Sequence, residues 1–132
     1  MNGSFLGNVE FSINKRDIDY SVIVYQLTPE NKYFHLSYYI GRASFAKDRE
    51  KRNLLVPNQK TQVSFNNSKL ISKKIQKGSR IVIVVNVNKN KNAQINYGTG
   101  KDVNGECIKD AKEPLKITFT GQSSISLPVW RN

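Results

Sequence analysis

The sequence predicts an all-β fold, a β-sandwich or jelly roll of about eight strands. Apolar residues recur at every second position in one short segment after another, the mark of strands with one buried face. Clusters of Pro, Gly, Asn and Ser separate these segments and supply turn chemistry. No long helical repeat stands between them, so the βαβ rhythm of a parallel sheet is missing. The 132 residues suit a single domain, 1–132. A chain of this length buries roughly two-thirds of its unfolded surface and can hold a core without disulfides or metals.

The elements follow in chain order. Ile18, Tyr20, Val22 and Val24 share one face of a strand, and Asp19, Ser21, Ile23 and Tyr25 share the other. The stretch from Lys32 to Ala46 is strand-like, and Tyr38 and Tyr39 within it must point to opposite faces. Val63 and Phe65 are in phase. Leu70 is out of phase with Ile71, Lys73 and Ile75, which predicts a kink or a mixed-face edge strand. Ile81 to Val85 is apolar on both faces and reads as a central, fully covered strand. Leu115, Ile117 and Phe119 alternate, as do Ile125, Leu127 and Val129. Pro128 has no amide hydrogen, so the last strand is expected at an edge or unpaired there. Turns are expected at Thr28–Lys32, Val56–Lys60, Gln76–Ser79 and Thr120–Ser124. Phe45–Leu55 and Val103–Lys112 offer at most a turn or two of helix each. A five-stranded OB barrel would leave too many strands over.

The net charge is +11, which favours polyanions or acidic surfaces. The basic residues crowd into Lys47–Arg52, Lys69–Lys77 and Asn88–Lys91 and read as solvated loops and strand faces rather than a nucleic-acid footprint. Cys107 is the one cysteine, so no intramolecular disulfide can form, and it reads as a structural or incidental thiol. No apolar run is long enough for a membrane-spanning helix. The first residues show no basic stretch followed by a long apolar one, so no signal peptide is read there.

The loop from Gln94 to Glu106, QINYGTGKDVNGE, invites comparison with phosphate-binding loops. A P-loop needs a glycine where Ile95 stands and a hydroxyl residue where Asp102 stands. The dinucleotide fingerprint begins with Gly98 and Gly100 but meets Val103 at its third glycine. The loop therefore reads as tight turn chemistry. A serine triad needs a histidine base held by a carboxylate, and His35, the one histidine, sits in strand sequence. Ser44 lacks the surrounding glycines of a nucleophile elbow. One His and one Cys do not make a metal site, and nothing marks Asp102 and Glu106 as a catalytic pair. No catalytic, cofactor-binding or metal residue is assigned. Tyr38, Tyr39, Tyr97 and Trp130 are the aromatics that could stack on sugars, so a free-standing carbohydrate-binding module is the alternative reading.

Motifs in a fixed order carry a resemblance. Asp17 and Asp19 open the long strand within Phe11–Asp48, and Arg42, Ala43 and Ser44 follow the next one. Gly78, Arg80 and Ile81 lie in Lys77–Lys89, and Asn96, Thr99 and Gly100 in Gln94–Glu106. Ser124, Ile125, Leu127 and Pro128 close Ser123–Val129. In this order and spacing the chain resembles the C-terminal non-catalytic domain of bacterial serine hydrolases of the X-Pro dipeptidyl-peptidase, cocaine esterase and glutaryl-7-aminocephalosporanic acid acylase family, over nearly all of its length. The resemblance implies a galactose-binding-domain-like jelly roll that packs against an α/β-hydrolase domain, in cis or as a separate chain. That other domain would supply Ser, Asp and His for acyl ester or amide hydrolysis. It is expected outside this sequence, as is an upstream strand. No cofactor, nucleic acid or membrane partner is implied. Asn96, Tyr97, Thr99 and Gly100 are the expected interdomain loop.

Overall fold

The computed structural model describes residues 1–66, 68–88 and 94–129. Trp130, and Lys89 to Lys91 of the third basic cluster, lie outside the described residues. Nine strands run in the order β1 (Asn2–Gly3), β2 (Leu6–Ile13), β3 (Asp19–Leu27), β4 (Tyr33–Arg42), β5 (Thr61–Phe65), β6 (Ile71–Ser72), β7 (Arg80–Val87), β8 (Ile117–Phe119) and β9 (Ser124–Ser126). Every pairing is antiparallel. One sheet has the order β4-β3-β7; the other has β5-β2-β8, with β9 also on β2; β1 and β6 form a short ladder of their own. The chain is an all-β sandwich.

Alternation explains how the sheets meet. Tyr20, Val22 and Val24 of β3 face inward and meet Val9, Phe11 and Ile13 of β2. Val63 and Phe65 of β5, with Phe5, Ile18, Ala43 and Ile71, complete the buried cluster. Burial of such side chains contributes about 1.5–3 kcal/mol each and is the main force holding the sheets together. Tyr39 turns inward and stacks on Phe65 with ring centroids 5.0 Å apart, while Tyr38 turns outward. Burial beside Tyr39 pushes the Tyr20 hydroxyl well above its usual range.

The turns match their chemistry. Asn31 at φ 61° closes the β3–β4 hairpin, where Thr28 N donates to Lys32 O at 2.9 Å. Asn58 at φ 63° turns the segment before β5. A register shift between Val24 and Tyr25 marks a bulge that leaves Leu36 unmatched on β4.

Several expectations need correction. The β2 stretch is not among the strands read from periodicity, yet it is central in its sheet. The run Ile81–Val85 is not central: β7 is an edge of its sheet among the described residues, with Ile83 and Val84 37% and 38% exposed. A run apolar on both faces reads as needing cover on both, but Val84 faces outward and Ile83, on the inner side, stands at the edge of the sheet. The strand-like signal to Ala46 stops at Arg42, where a 3-10 turn, Ala43–Phe45, begins. Val103–Lys112 holds two such turns, Val103–Gly105 and Ile108–Ala111, in line with the turn or two expected there. Leu70 is out of phase as expected, 79% exposed beside a buried Ile71.

Candidate functional site

The link between β2 and β3 crosses from one sheet to the other, and Asp17 sits on it. This carboxylate is 0% exposed. Its Oδ1 accepts the amides of Ile18 and Ser44, each at 2.9 Å. Its Oδ2 accepts Ser44 Oγ at 2.8 Å, Asn96 Nδ2 at 3.0 Å and Arg52 Nη2 at 3.1 Å. A carboxylate can stay charged in the interior when donors and a cation replace its water so completely.

Around it the motif residues interlock. Asp19, at the start of β3, takes a bidentate pair of bonds from Arg42 at the end of β4, at 2.7 and 3.0 Å. These hydrogen bonds raise the Arg42 guanidinium pKa, against a smaller opposing effect of burial. The Asn96 amide spans both acids, since Nδ2 also donates to Asp19 Oδ1 at 3.0 Å. Its Oδ1 accepts the Gly98 amide at 2.9 Å. Arg52 reaches on to the carbonyls of Gly100 and Lys101, at 3.3 and 2.7 Å.

The loop from Gln94 to Glu106 is closed from within. Glu106 accepts the amides of Tyr97 at 2.7 Å and Thr99 at 3.1 Å, and also the Thr99 hydroxyl. Gly98 has φ 77°, and a Cβ there would lie 2.6 Å from the Asp17 carbonyl oxygen, so only glycine fits. The Asp102 side chain accepts the Asn104 amide at 3.1 Å. Asp102 and Glu106 thus do separate jobs, and both glycines of the phosphate-loop look-alike, Gly98 and Gly100, have the positive φ of turn residues.

Could this cluster break bonds? Ser44 Oγ donates to a carboxylate already bound by four other donors rather than to an imidazole, and Ser44 is itself 0% exposed. His35 lies elsewhere, in ring contact with Tyr25 and Tyr38. A substrate has no route to the hydroxyl, and no imidazole stands beside it. The arrangement is a tie: it pins the β2–β3 link, the 3-10 turn after β4, the segment at Arg52 and the loop at Asn96 to one another.

Of the expected loop residues, Asn96 points into the tie, and Tyr97, Thr99 and Gly100 are half-buried. Arg52 was legible only as part of a charged run, and Glu106 only as an unpaired acid. Cys107 is exposed. Among the described residues no group of three His, Cys, Asp or Glu side chains is arranged to hold a metal ion. No protein-family model and no curated protein matches the chain.

Proposed function

We propose that this chain is the non-catalytic β-sandwich domain of a serine hydrolase of the X-Pro dipeptidyl-peptidase and cocaine esterase type, packed against the α/β-hydrolase domain that performs acyl ester or amide hydrolysis. The supporting observation is convergence. Asp17, Asp19, Arg42, Ser44 and Asn96, singled out from motifs far apart in sequence, meet in one buried network. Such a network fixes loop shape rather than chemistry, as an accessory domain requires.

The surface offered for packing is the outer face of β4-β3-β7. Register places Ile23 between Tyr38 and Val84, and Tyr25 between His35 and Val82. Ile40 and Tyr33 on the same face are 56% and 62% exposed. An apolar face of this kind is commonly an interaction surface.

Produced alone, the chain is expected to leave X-Pro anilides and acyl esters intact; turnover that persists through repurification would overturn the proposal. Mixed with a hydrolase domain encoded in frame with it or beside it, the chain should bind. The double variant Tyr38→Lys with Ile40→Lys should weaken that binding at least tenfold, and Tyr97→Ala should weaken it if the loop joins the interface. Unchanged affinity of the double variant would remove this face from the interface, and absence of any neighbouring hydrolase would remove the family reading.

A further inference from the structure

A second feature is a cleft lined mainly by the other sheet, with Tyr39 and Arg42 of β4 also on its border. It has a volume of about 710 Å³, within the range of small-molecule sites. One wall is the outer side of β2, β5 and β9. Asn8 stands opposite Ser64 on β5 and opposite Ser124 on β9, so the three side chains form a row across adjacent strands. Neighbours in such a row are about 4.8 Å apart. Ser126, opposite Leu6, lines the cleft one step along.

These groups are uncommitted. Asn8 Oδ1 is buried and has no hydrogen-bond partner. A buried acceptor without a donor is uncommon, so the Asn8 side chain is not held by the fold. The hydroxyls of Ser64, Ser124 and Ser126 make no hydrogen bond among the described residues.

The opposite wall is the end of the 3-10 turn, at Phe45, and the segment after it, with Lys47, Asp48 and Arg49. Asp48 is engaged by the amides of Glu50 and Lys51, at 2.9 and 3.3 Å. Arg42, which also lines the cleft, is engaged by Asp19 and Gln94. Lys47 and Arg49 are exposed and make no ion pair among the described residues, so the wall carries an excess of positive charge, although the Asp48 carboxylate between them offsets part of it. Tyr39 and Phe45 add ring surface.

We infer that this cleft binds an acidic saccharide, with sugar hydroxyls on the Asn8, Ser64 and Ser124 row and a sugar carboxylate between Lys47 and Arg49. Amide and hydroxyl side chains match a ring of hydroxyls, each able to donate and accept. Two free cations suit an isolated carboxylate; a nucleic-acid strand carries a phosphate at every nucleotide and is held through many such contacts. The inference stands apart from the proposed hydrolase parentage, since it concerns only residues of this chain.

The test is a titration of the whole chain with tri-galacturonate, with a neutral trisaccharide of glucose, and with a single-stranded oligonucleotide, read by amide chemical shifts. Tri-galacturonate is expected to move the amides of Asn8, Ser64 and Ser124 and to bind at least tenfold more tightly than the neutral sugar. The exposed pair Lys47→Ala with Arg49→Ala should cost tenfold or more for the acidic sugar and leave the fold unchanged. Ser64→Ala with Ser124→Ala should weaken both sugars. Shifts scattered over all basic surfaces, equal binding of neutral and acidic sugars, tighter binding of the oligonucleotide, or no saturation at millimolar sugar would each overturn the assignment.

Discussion

The two sheets turn similar faces toward each other and different faces away. Outside β5-β2-β9 the positions are polar apart from Leu6: Asn8, Glu10, Gln62, Ser64, Ser124 and Ser126. Outside β4-β3-β7 the middle of the face is apolar, with Ile23, Tyr25, Tyr38, Ile40, Val82 and Val84, while Ser21, His35, Arg80 and Asn86 stand among and around them. Both sheets obey period two, yet only the first combines it with a change of polarity. A solvated face needs no cover, whereas an apolar one gains free energy from any surface that removes it from water. At a net charge of +11, a second copy of this chain is a poor cover, because like charges repel. The difference fits the proposed division of work, one face for ligand and one for a packing partner.

The comparison can be abolished altogether at Asp17. Asp17→Ala leaves Arg52 and Asn96 facing an empty place and unties the crossing between the sheets. Breaking a buried pair in this way costs about 3–5 kcal/mol, and urea denaturation should show a loss of that order or an unfolded chain. Gly98→Ala is next. It forces a residue with a side chain to φ 77° against the Asp17 carbonyl, a strain of about 1–3 kcal/mol that the same measurement reports.

Substitutions on the apolar face sharpen the contrast instead. In the isolated chain, Ile40→Lys with Val84→Lys should change stability by less than about 0.5 kcal/mol per site, as at ordinary surface positions. The same pair should reduce binding of a hydrophobic dye. A large destabilisation would mean that the face is already covered in solution.

The smallest effect lies on the polar face. The Thr120 hydroxyl is the chief cause that holds the Glu10 carboxyl below its ordinary value, aided by Gln62 and Lys60. A depressed folded value means that the contact stabilises above the unfolded value and is lost as pH falls through the folded one. Carboxyl chemical shifts should show Glu10 titrating low, and Thr120→Val should move it back up.

How much of this could be read from residues alone follows from what each signal measures. Alternation measures sidedness, so it located β3 and the opposed Tyr38 and Tyr39 correctly. It says nothing about what lies beyond the inner face, which is why the doubly apolar β7 was misplaced at the centre of its sheet. The β2 stretch carries the same signal in Val9, Phe11 and Ile13, interleaved with Glu10 and Ser12, but its leading residues were weighed only as a possible leader segment. Arg52 was out of reach by physics rather than by oversight. Its role depends on a carboxylate 35 positions away, and a basic cluster looks the same whether one member is buried or none is.

The tie at Asp17 also sets a timetable. Asn96 emerges 79 residues after the acid it must satisfy, so during synthesis that carboxylate waits, hydrated, while much of the sandwich is already outside the ribosome. Closure over such a distance is slow, because a long stretch of chain must be gathered before the contact repays it. The inter-sheet crossing can therefore dry out only late, and a nascent chain halted before the loop would keep a wet, charged opening between its sheets.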